Sequence, residues 1–155
     1  MTTIVWDGHT LAVDSQMTNG NSKSIVEKLF KLEGHGAVAG TGRIADLLAF
    51  RDWVLRCMPQ EARPVLLEKD VFIGFHAHLE NGLPVCDRYW GNFASDRLLG
   101  PTAEGSGRDF ALAAMHMKAD SYGAVYVACQ YDIYTCPPIR FYSPLLEIGG
   151  KQLYP

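Results

Sequence analysis

Long apolar runs are missing from this sequence, and no stretch approaches the ~20 residues that a membrane-spanning helix needs. The amino terminus, Met1-Thr2-Thr3, lacks the basic region and the apolar stretch of a secretory signal peptide. Positive charge is not in excess either, because 14 basic residues face 17 acidic ones, for a formal net charge of −3. The composition therefore argues against a membrane or a nucleic acid as partner, and we expect a cytoplasmic protein.

Residues with the spacing of a metal or redox site are also scarce. The four cysteines form no C-x-x-C pair, so they support neither a zinc ribbon nor a thioredoxin-type motif, and we interpret them as reduced, packed thiols. His76 and His78 would share one face of a strand and could bind zinc if His116 or Asp87 supplied a third ligand. No H-E-x-x-H pattern accompanies them, and we expect neither a metal nor a cofactor.

The length of 155 residues is that of one domain, and we expect residues 1–155 to form a single one. The first part of the chain has a β pattern. Residues 3–6 are strand-like, Asp7-Gly8 is a hairpin turn signal, and residues 10–14 run back. Further along we predict a polar loop over residues 17–22 and strands over residues 25–32 and 37–39.

Apolar residues change to a helical period after Gly40-Thr41-Gly42. We predict a helix from Ile44 to Met58, which Pro59 ends. A second helix is expected after Gly105-Ser106-Gly107. Its apolar face would carry Phe110, Ala113, Ala114 and Met117.

Strand signals return between and after these helices. Residues 71–79 and 85–90 flank an Asn81-Gly82 turn signal and predict a second hairpin. The apolar run 124–129 fits a helix or a strand equally well. A last strand is expected to begin over residues 131–135 and to continue over residues 139–142. Strands, then helices, then strands again predict an α+β fold in which helices cover the sheets.

A set of short motifs follows one another along nearly the whole chain. They are Thr2-Thr3-Ile4-Val5, Asp14, Val26-Glu27-Lys28-Leu29, Gly40-Thr41-Gly42-Arg43-Ile44-Ala45-Asp46, Gly105-Ser106-Gly107 and Asp132-Ile133-Tyr134-Thr135. In this order and approximate spacing the sequence resembles the proteasome β-subunits and the bacterial HslV peptidase, which are N-terminal-nucleophile hydrolases. The resemblance implies a four-layer α-β-β-α sandwich and a threonine peptidase.

The chemistry of such an enzyme explains why a threonine follows the initiator methionine. A threonine hydroxyl needs a base to take its proton. A free α-amino group, with a reference pKa of about 7.7–8.0, titrates close to neutral pH. Once Met1 is removed, Thr2 would supply both groups. The branched Cβ of threonine also restricts χ1 and helps to hold the hydroxyl in place.

The remaining site residues are assigned by the resemblance. Lys28 would favour the anionic hydroxyl and keep the α-amine unprotonated, and Asp14 would pair with its ammonium group. The backbone N–H of Gly42 would stabilise the oxyanion. From the residues alone, Lys28 would be an exposed strand lysine and Gly42 a turn residue. The family's supporting polar cluster around the amine is matched by Ser106, Asp132 and Thr135.

The resemblance further implies a polypeptide substrate and a homo-oligomeric ring, hexameric or heptameric and stacked into a closed chamber, with an ATP-dependent unfoldase as a candidate partner. Two other functions stay open. The same motifs would serve an N-terminal-nucleophile amidase that acts on small amides. A third hypothesis is a catalytically silent, ring-forming relative that retains Met1.

Overall fold

The computed structural model describes residues 1–146 and the backbone of residues 148–152. Within this part of the chain it contains two five-stranded antiparallel sheets, a two-stranded ribbon and three α-helices. The strands are β1 (Thr3–Trp6), β2 (Leu11–Val13), β3 (Gln16–Asn19), β4 (Ser22–Ile25), β5 (Leu29–Leu32), β6 (Gly36–Gly40), β7 (Ile73–Glu80), β8 (Leu83–Trp90), β9 (Ser95–Arg97), β10 (Thr102–Gly105), β11 (Ile139–Ser143) and β12 (Ile148–Gln152). The helices are α1 (Ile44–Leu55), α2 (Arg108–His116) and α3 (Ser121–Tyr131), and a short 3-10 helix spans Gln60–Ala62.

The first sheet has the order β10-β1-β2-β11-β12 and contains the predicted amino-terminal hairpin. Ile4 lies opposite Val13, and the Asp7 side chain accepts hydrogen bonds from the backbone N–H groups of His9 (2.8 Å) and Thr10 (2.7 Å). Asp7 therefore closes the turn with its own carboxylate, as aspartate often does.

The second sheet has the order β5-β6-β7-β8-β9 and contains the second predicted hairpin. Asn81 and Gly82 adopt φ values of 53° and 77°, the left-handed conformation that a two-residue hairpin turn of this kind requires. β7 and β8 pair over their full lengths, from Ile73 opposite Trp90 to Glu80 opposite Leu83.

The loop predicted over residues 17–22 is wrong, because these residues belong to a ribbon of β3 and β4 that turns at Gly20 (φ 57°). The strand predicted over residues 25–32 is confirmed only in β5, Leu29–Leu32, because β4 ends at Ile25 and residues 26–28 form no strand. The side chains of β4 are exposed, so backbone pairing rather than an apolar face holds the ribbon, and hydrophobic periodicity does not reveal it.

The helices also differ from the prediction in extent and orientation. α1 ends at Leu55, before Pro59, because Cys57 (φ 61°) and Met58 (φ 54°) leave the right-handed helical region. Of the apolar face predicted for α2 only Ala114 is confirmed: the buried residues are Ala111 and Ala114, whereas Phe110, Ala113 and Met117 are exposed.

The ambiguous run 124–129 is helical, within α3, whose amino-terminal cap is Asp120. The strand predicted over residues 131–135 is wrong, because α3 continues through Tyr131 and a loop follows. In that loop the Asp132 side chain accepts a hydrogen bond from the backbone N–H of Tyr134 (3.2 Å), a local bond that competes with strand pairing. The chain then re-enters a strand at Ile139, close to the predicted position.

Three apolar clusters connect the elements. One joins the two large sheets, one lies between α1 and the second sheet, and one lies between the first sheet and the helices α2 and α3. Large side chains fill the first two, such as Trp6 and Phe75 between the sheets and Phe50 and Trp53 under α1. In the part of the chain that the structure describes, no helix has both the length and the apolar character needed to cross a membrane.

Candidate active site

Thr2 precedes β1 and lines a cavity of about 830 Å³. Its side chain is almost fully buried, and its backbone carbonyl accepts a hydrogen bond from the N–H of Ser106 at 3.0 Å. Gly105 makes this approach possible, because it has a φ of 100° and a Cβ there would lie 1.6 Å from the Thr2 carbonyl oxygen. The end of β10 therefore fixes the backbone of Thr2.

The two adjacent threonines have different surroundings, as expected for neighbours whose side chains point to opposite faces of a strand. Thr3 is fully buried, and its Oγ1 accepts a hydrogen bond from the N–H of Gly107 at 3.0 Å. The Thr135 hydroxyl donates to the Asp132 carboxylate at 2.5 Å, so the 2.6 Å bond between the two threonine hydroxyls is donated by Thr3. The Thr3 hydroxyl is thus engaged in a structural chain of hydrogen bonds, and Thr2 is the threonine at the cavity.

Lys28 and Asp14 form an ion pair that is removed from solvent. The Lys28 Nζ donates to both carboxylate oxygens of Asp14, at 3.1 and 3.2 Å, and the side chains are 2% and 0% exposed. Asp14 also accepts hydrogen bonds from the backbone N–H groups of Thr3 and Gln16, each at 2.9 Å. A third hydrogen bond from Lys28 reaches the carbonyl oxygen of Met1 at 2.9 Å, in the peptide bond that joins Met1 to Thr2.

Burial shifts the pKa values around this pair. It lowers the pKa of Lys28, against the attraction of Asp14, and it raises the pKa of Asp14, against Lys28 and the two backbone N–H groups. Partial burial and the nearby Lys28 ammonium also lower the pKa of the amino terminus, here that of Met1. An amine in this environment is unprotonated at lower pH than an exposed one, which suits a general base.

Gly42 lies at the entrance to α1 and lines the same cavity as Thr2 and Lys28. Its φ of 83° is in the left-handed region, where glycine is favoured. The preceding residue, Thr41, clamps the neighbouring chain: its Oγ1 donates to the Val71 carbonyl at 3.1 Å and accepts from the Ile73 N–H at 3.0 Å. The turn after β6 is thereby held against the segment that leads into β7.

Ser106 also lines the cavity, and its Oγ is buried without a hydrogen-bond partner among the described residues. Buried hydroxyls without partners are rare in native proteins, and each calls for an explanation. A hydroxyl in this position can donate to or accept from a polar group beside Thr2. The structure therefore brings Thr2, Lys28, Gly42 and Ser106 to one cavity, with Asp14 bonded to Lys28.

Asp132 and Thr135 connect to this site through Thr3, for which the sequence predicted no role. The alternation of a strand was the available signal, because it separates the environments of two adjacent threonines. Gln16, for which the sequence likewise predicted no role, donates from its side chain to the Ile133 carbonyl at 3.0 Å and so ties the ribbon to the loop that carries Asp132.

The two histidines considered as zinc ligands are engaged elsewhere. The Nε2 of His78 lies 3.0 Å from the Asp87 carboxylate, and the Nε2 of His76 lies 2.6 Å from the His35 carbonyl oxygen. Their rings stack with centroids 4.5 Å apart. No cluster of three or more potential metal-ligating side chains occurs in the residues that the structure describes.

Comparison with solved structures finds matches to the whole fold. Thiobacillus denitrificans BPH in complex with epoxomicin is 19% identical in sequence, with a TM-score of 0.66, over 91% of this chain and 96% of that one. A second structure of Thiobacillus denitrificans BPH matches with a TM-score of 0.65 at 19% identity, over 91% of this chain and 95% of that one. No protein-family model matches this chain, and neither does any curated protein sequence. At this identity the likeness is one of fold.

Proposed function

We propose that this chain is a threonine peptidase of the proteasome β and HslV kind, built as a four-layer α-β-β-α sandwich. The main support is the cavity at which Thr2 lies beside Lys28, with Asp14 buried behind the lysine and Gly42 and Ser106 in the wall. The likeness to a structure solved with epoxomicin, a proteasome inhibitor, agrees with this proposal.

The reaction begins with Thr2 as the amino-terminal residue. Its α-amine takes the hydroxyl proton as Oγ1 attacks the carbonyl carbon of the scissile bond, and the Gly42 N–H stabilises the resulting oxyanion. The amine then passes the proton to the leaving nitrogen, and an ester with Thr2 remains. Water hydrolyses this ester and restores the hydroxyl. The Lys28 ammonium favours the anionic hydroxyl and the unprotonated amine. The hydrogen bonds from Asp132 through Thr135 to Thr3 hold the backbone beside Thr2.

Met1 blocks this chemistry while it is attached. The nitrogen of Thr2 is then an amide, which is not a base at neutral pH, and the Lys28 ammonium is bonded to the Met1 carbonyl. We propose that removal of Met1 activates the site. The family resemblance further supports a homo-oligomeric ring, hexameric or heptameric and open to stacking, that encloses a polypeptide substrate delivered by an ATP-dependent unfoldase.

The test compares the chain that begins at Thr2, released from a cleavable fusion partner, with the chain that begins at Met1. Each is incubated with a peptide vinyl sulfone, which adds to a nucleophilic oxygen with no leaving group, and the intact mass is measured. We expect the chain that begins at Thr2 to gain one inhibitor mass and the chain with Met1 to gain none.

Two variants control this experiment. Thr2→Ala should abolish the adduct, whereas Thr102→Ala, in β10 where it pairs with Trp6, should leave it unchanged. Labelling that persists in Thr2→Ala would contradict the proposal. A panel of peptides and small amides then separates the peptidase from an amidase, which would hydrolyse only the small amides.

A further inference from the structure

The cavity beside Thr2 has a second ion pair, besides that of Lys28 with Asp14, in a wall of mixed apolar and polar side chains. Arg43, the first residue before α1, and Glu68, in the segment before β7, both line the cavity, and Arg43 Nη2 lies 2.7 Å from Glu68 Oε1. The apolar lining comes from Met17, Ile44, Val71 and Ile73. The charged pair and the apolar side chains together decide which substrate groups this cavity accepts.

Glu68 is held in place by a buried carboxylate. Asp46, in the first turn of α1, is 1% exposed and accepts hydrogen bonds from the backbone N–H groups of Leu67 (2.6 Å) and Glu68 (2.9 Å). Thr41 holds the same segment a few residues after Glu68, at Val71 and Ile73. The wall that carries Glu68 is therefore fixed at two points, and Arg43 meets a partner that is already positioned.

We propose that Arg43 and Glu68 are specificity-determining residues that select an uncharged, apolar substrate side chain beside the scissile bond. This inference rests on the proposed function. A charged side chain that packs against the apolar part of this lining loses part of its hydration, and it gains little from two opposite charges that cancel each other. An apolar side chain loses nothing and buries area against the lining. The intact pair consequently disfavours acidic and basic side chains alike.

Removal of either charge should change this selection in opposite directions. Glu68→Gln leaves the Arg43 guanidinium unpaired at the cavity, so an acidic side chain gains a partner and a basic one meets repulsion. Arg43→Gln leaves the Glu68 carboxylate and has the reverse effect. Because the two side chains are 57% and 44% exposed, we expect each change to be about 5-fold, the upper end of what solvent-exposed pairs contribute.

The experiment uses the chain that begins at Thr2 and three peptide vinyl sulfones that differ only in the residue next to the reactive group: leucine, glutamate or lysine. Rates of adduct formation are followed by intact mass. Arg51→Gln and Asp52→Asn are matched controls, because these residues form a 2.8 Å ion pair on α1 and do not line the cavity. Arg51→Gln changes the net charge as Arg43→Gln does, and Asp52→Asn changes it as Glu68→Gln does. We expect both controls to leave the preference among the three probes unchanged.

Wild-type protein should react fastest with the leucine probe. The glutamate-to-lysine rate ratio should rise in Glu68→Gln and fall in Arg43→Gln, by more than 10-fold between the two variants. A ratio that is the same in both variants and in wild type would overturn the inference while leaving the peptidase proposal intact. Wild type that reacts with none of the probes would overturn the proposed function and this inference with it.

Discussion

Replacement of Lys28 by methionine tests whether the buried ion pair stabilises the site as the geometry indicates. Methionine keeps much of the apolar stem but leaves the Asp14 carboxylate, which is fully buried, with only its two backbone N–H donors. Removal of one partner from a buried pair costs about 3–5 kcal/mol, since the remaining charge is uncompensated. With a urea m-value of roughly 2 kcal/mol per M, the unfolding midpoint should fall by roughly 2 M.

Asp14→Asn should cost a similar free energy. The asparagine has one acceptor oxygen where two backbone donors and Lys28 now converge, and the lysine loses its counter-charge. The double variant Asp14→Asn/Lys28→Met contains no uncompensated charge. Its loss should therefore be smaller than the sum of the two single losses, by about 2–3 kcal/mol, as for coupled neighbours.

The assay is urea unfolding at pH 7.5 and one fixed protein concentration, because assembly would make stability depend on concentration. Lys23→Met is the control: the Lys23 ammonium is exposed and donates to the Ile133 carbonyl at 3.0 Å, so its loss should cost less than about 1 kcal/mol. A loss below about 1 kcal/mol for Lys28→Met, or strict additivity in the double variant, would refute the reasoning. Lys28 would then be a solvated lysine.

Two further predictions concern pH and backbone geometry. Burial lowers the pKa of His76 to about 4, below its ordinary value of about 6.5. Its contribution to stability is therefore complete above pH 6.5 and is lost as the pH falls, by about 2 kcal/mol at pH 5. Urea unfolding of His76→Gln should lack this part of the pH dependence. The hydrogen bond to the Asp87 carboxylate raises the pKa of His78, so the contribution of His78 to stability is present at acid pH and is lost as the pH rises. His78→Gln should therefore make the free energy of unfolding fall more steeply as the pH is lowered. If the free energy of unfolding depended on pH equally in His76→Gln and His78→Gln, this assignment would be contradicted. Gly105→Ala should cost more than about 3 kcal/mol or abolish folding, because its Cβ meets the Thr2 backbone, while Gly82→Ala, also at positive φ but in open space, should cost about 1–2 kcal/mol; equal costs would show that the contact with Thr2 is relaxed.

Much of the fold could be predicted where the signal is local. The turn dipeptides at Asp7-Gly8 and Asn81-Gly82 specify a conformation by their own chemistry, and both hairpins form where predicted. The ribbon of β3 and β4, the buried face of α2 and the end of α3 could not be predicted. The ribbon is local but lacks an apolar pattern, and α3 ends at a local hydrogen bond between Asp132 and Tyr134. The buried face of α2 depends on residues distant in sequence, because it is set by packing in the cluster with β1 and α3, and the exposed Phe110 stacks on Tyr131.

The candidate site was predictable as a set of residues but not as a geometry. The ordered motifs named the residues around the cavity, whereas the use of Thr3 as a hydrogen-bond link follows from strand alternation and from Thr135, 132 positions away. Arg43 lies within the motif of residues 40–46, but nothing in the sequence pairs it with Glu68. They are 25 positions apart, charged and partly exposed, and only the clamps at Asp46 and Thr41 bring them together.

The position of the ion pair explains why function should depend on the packing of the two sheets. Asp14 follows β2 of the first sheet, and Lys28 immediately precedes β5 of the second. Their 3.1 Å contact therefore joins the two sheets at the edge where Thr2 enters β1. Because a buried pair is effective only with good geometry, a small shift between the sheets weakens the Lys28–Asp14 interaction beside Thr2. The cluster between the sheets, with Trp6 and Phe75, thus positions Thr2 as well as stabilising the fold.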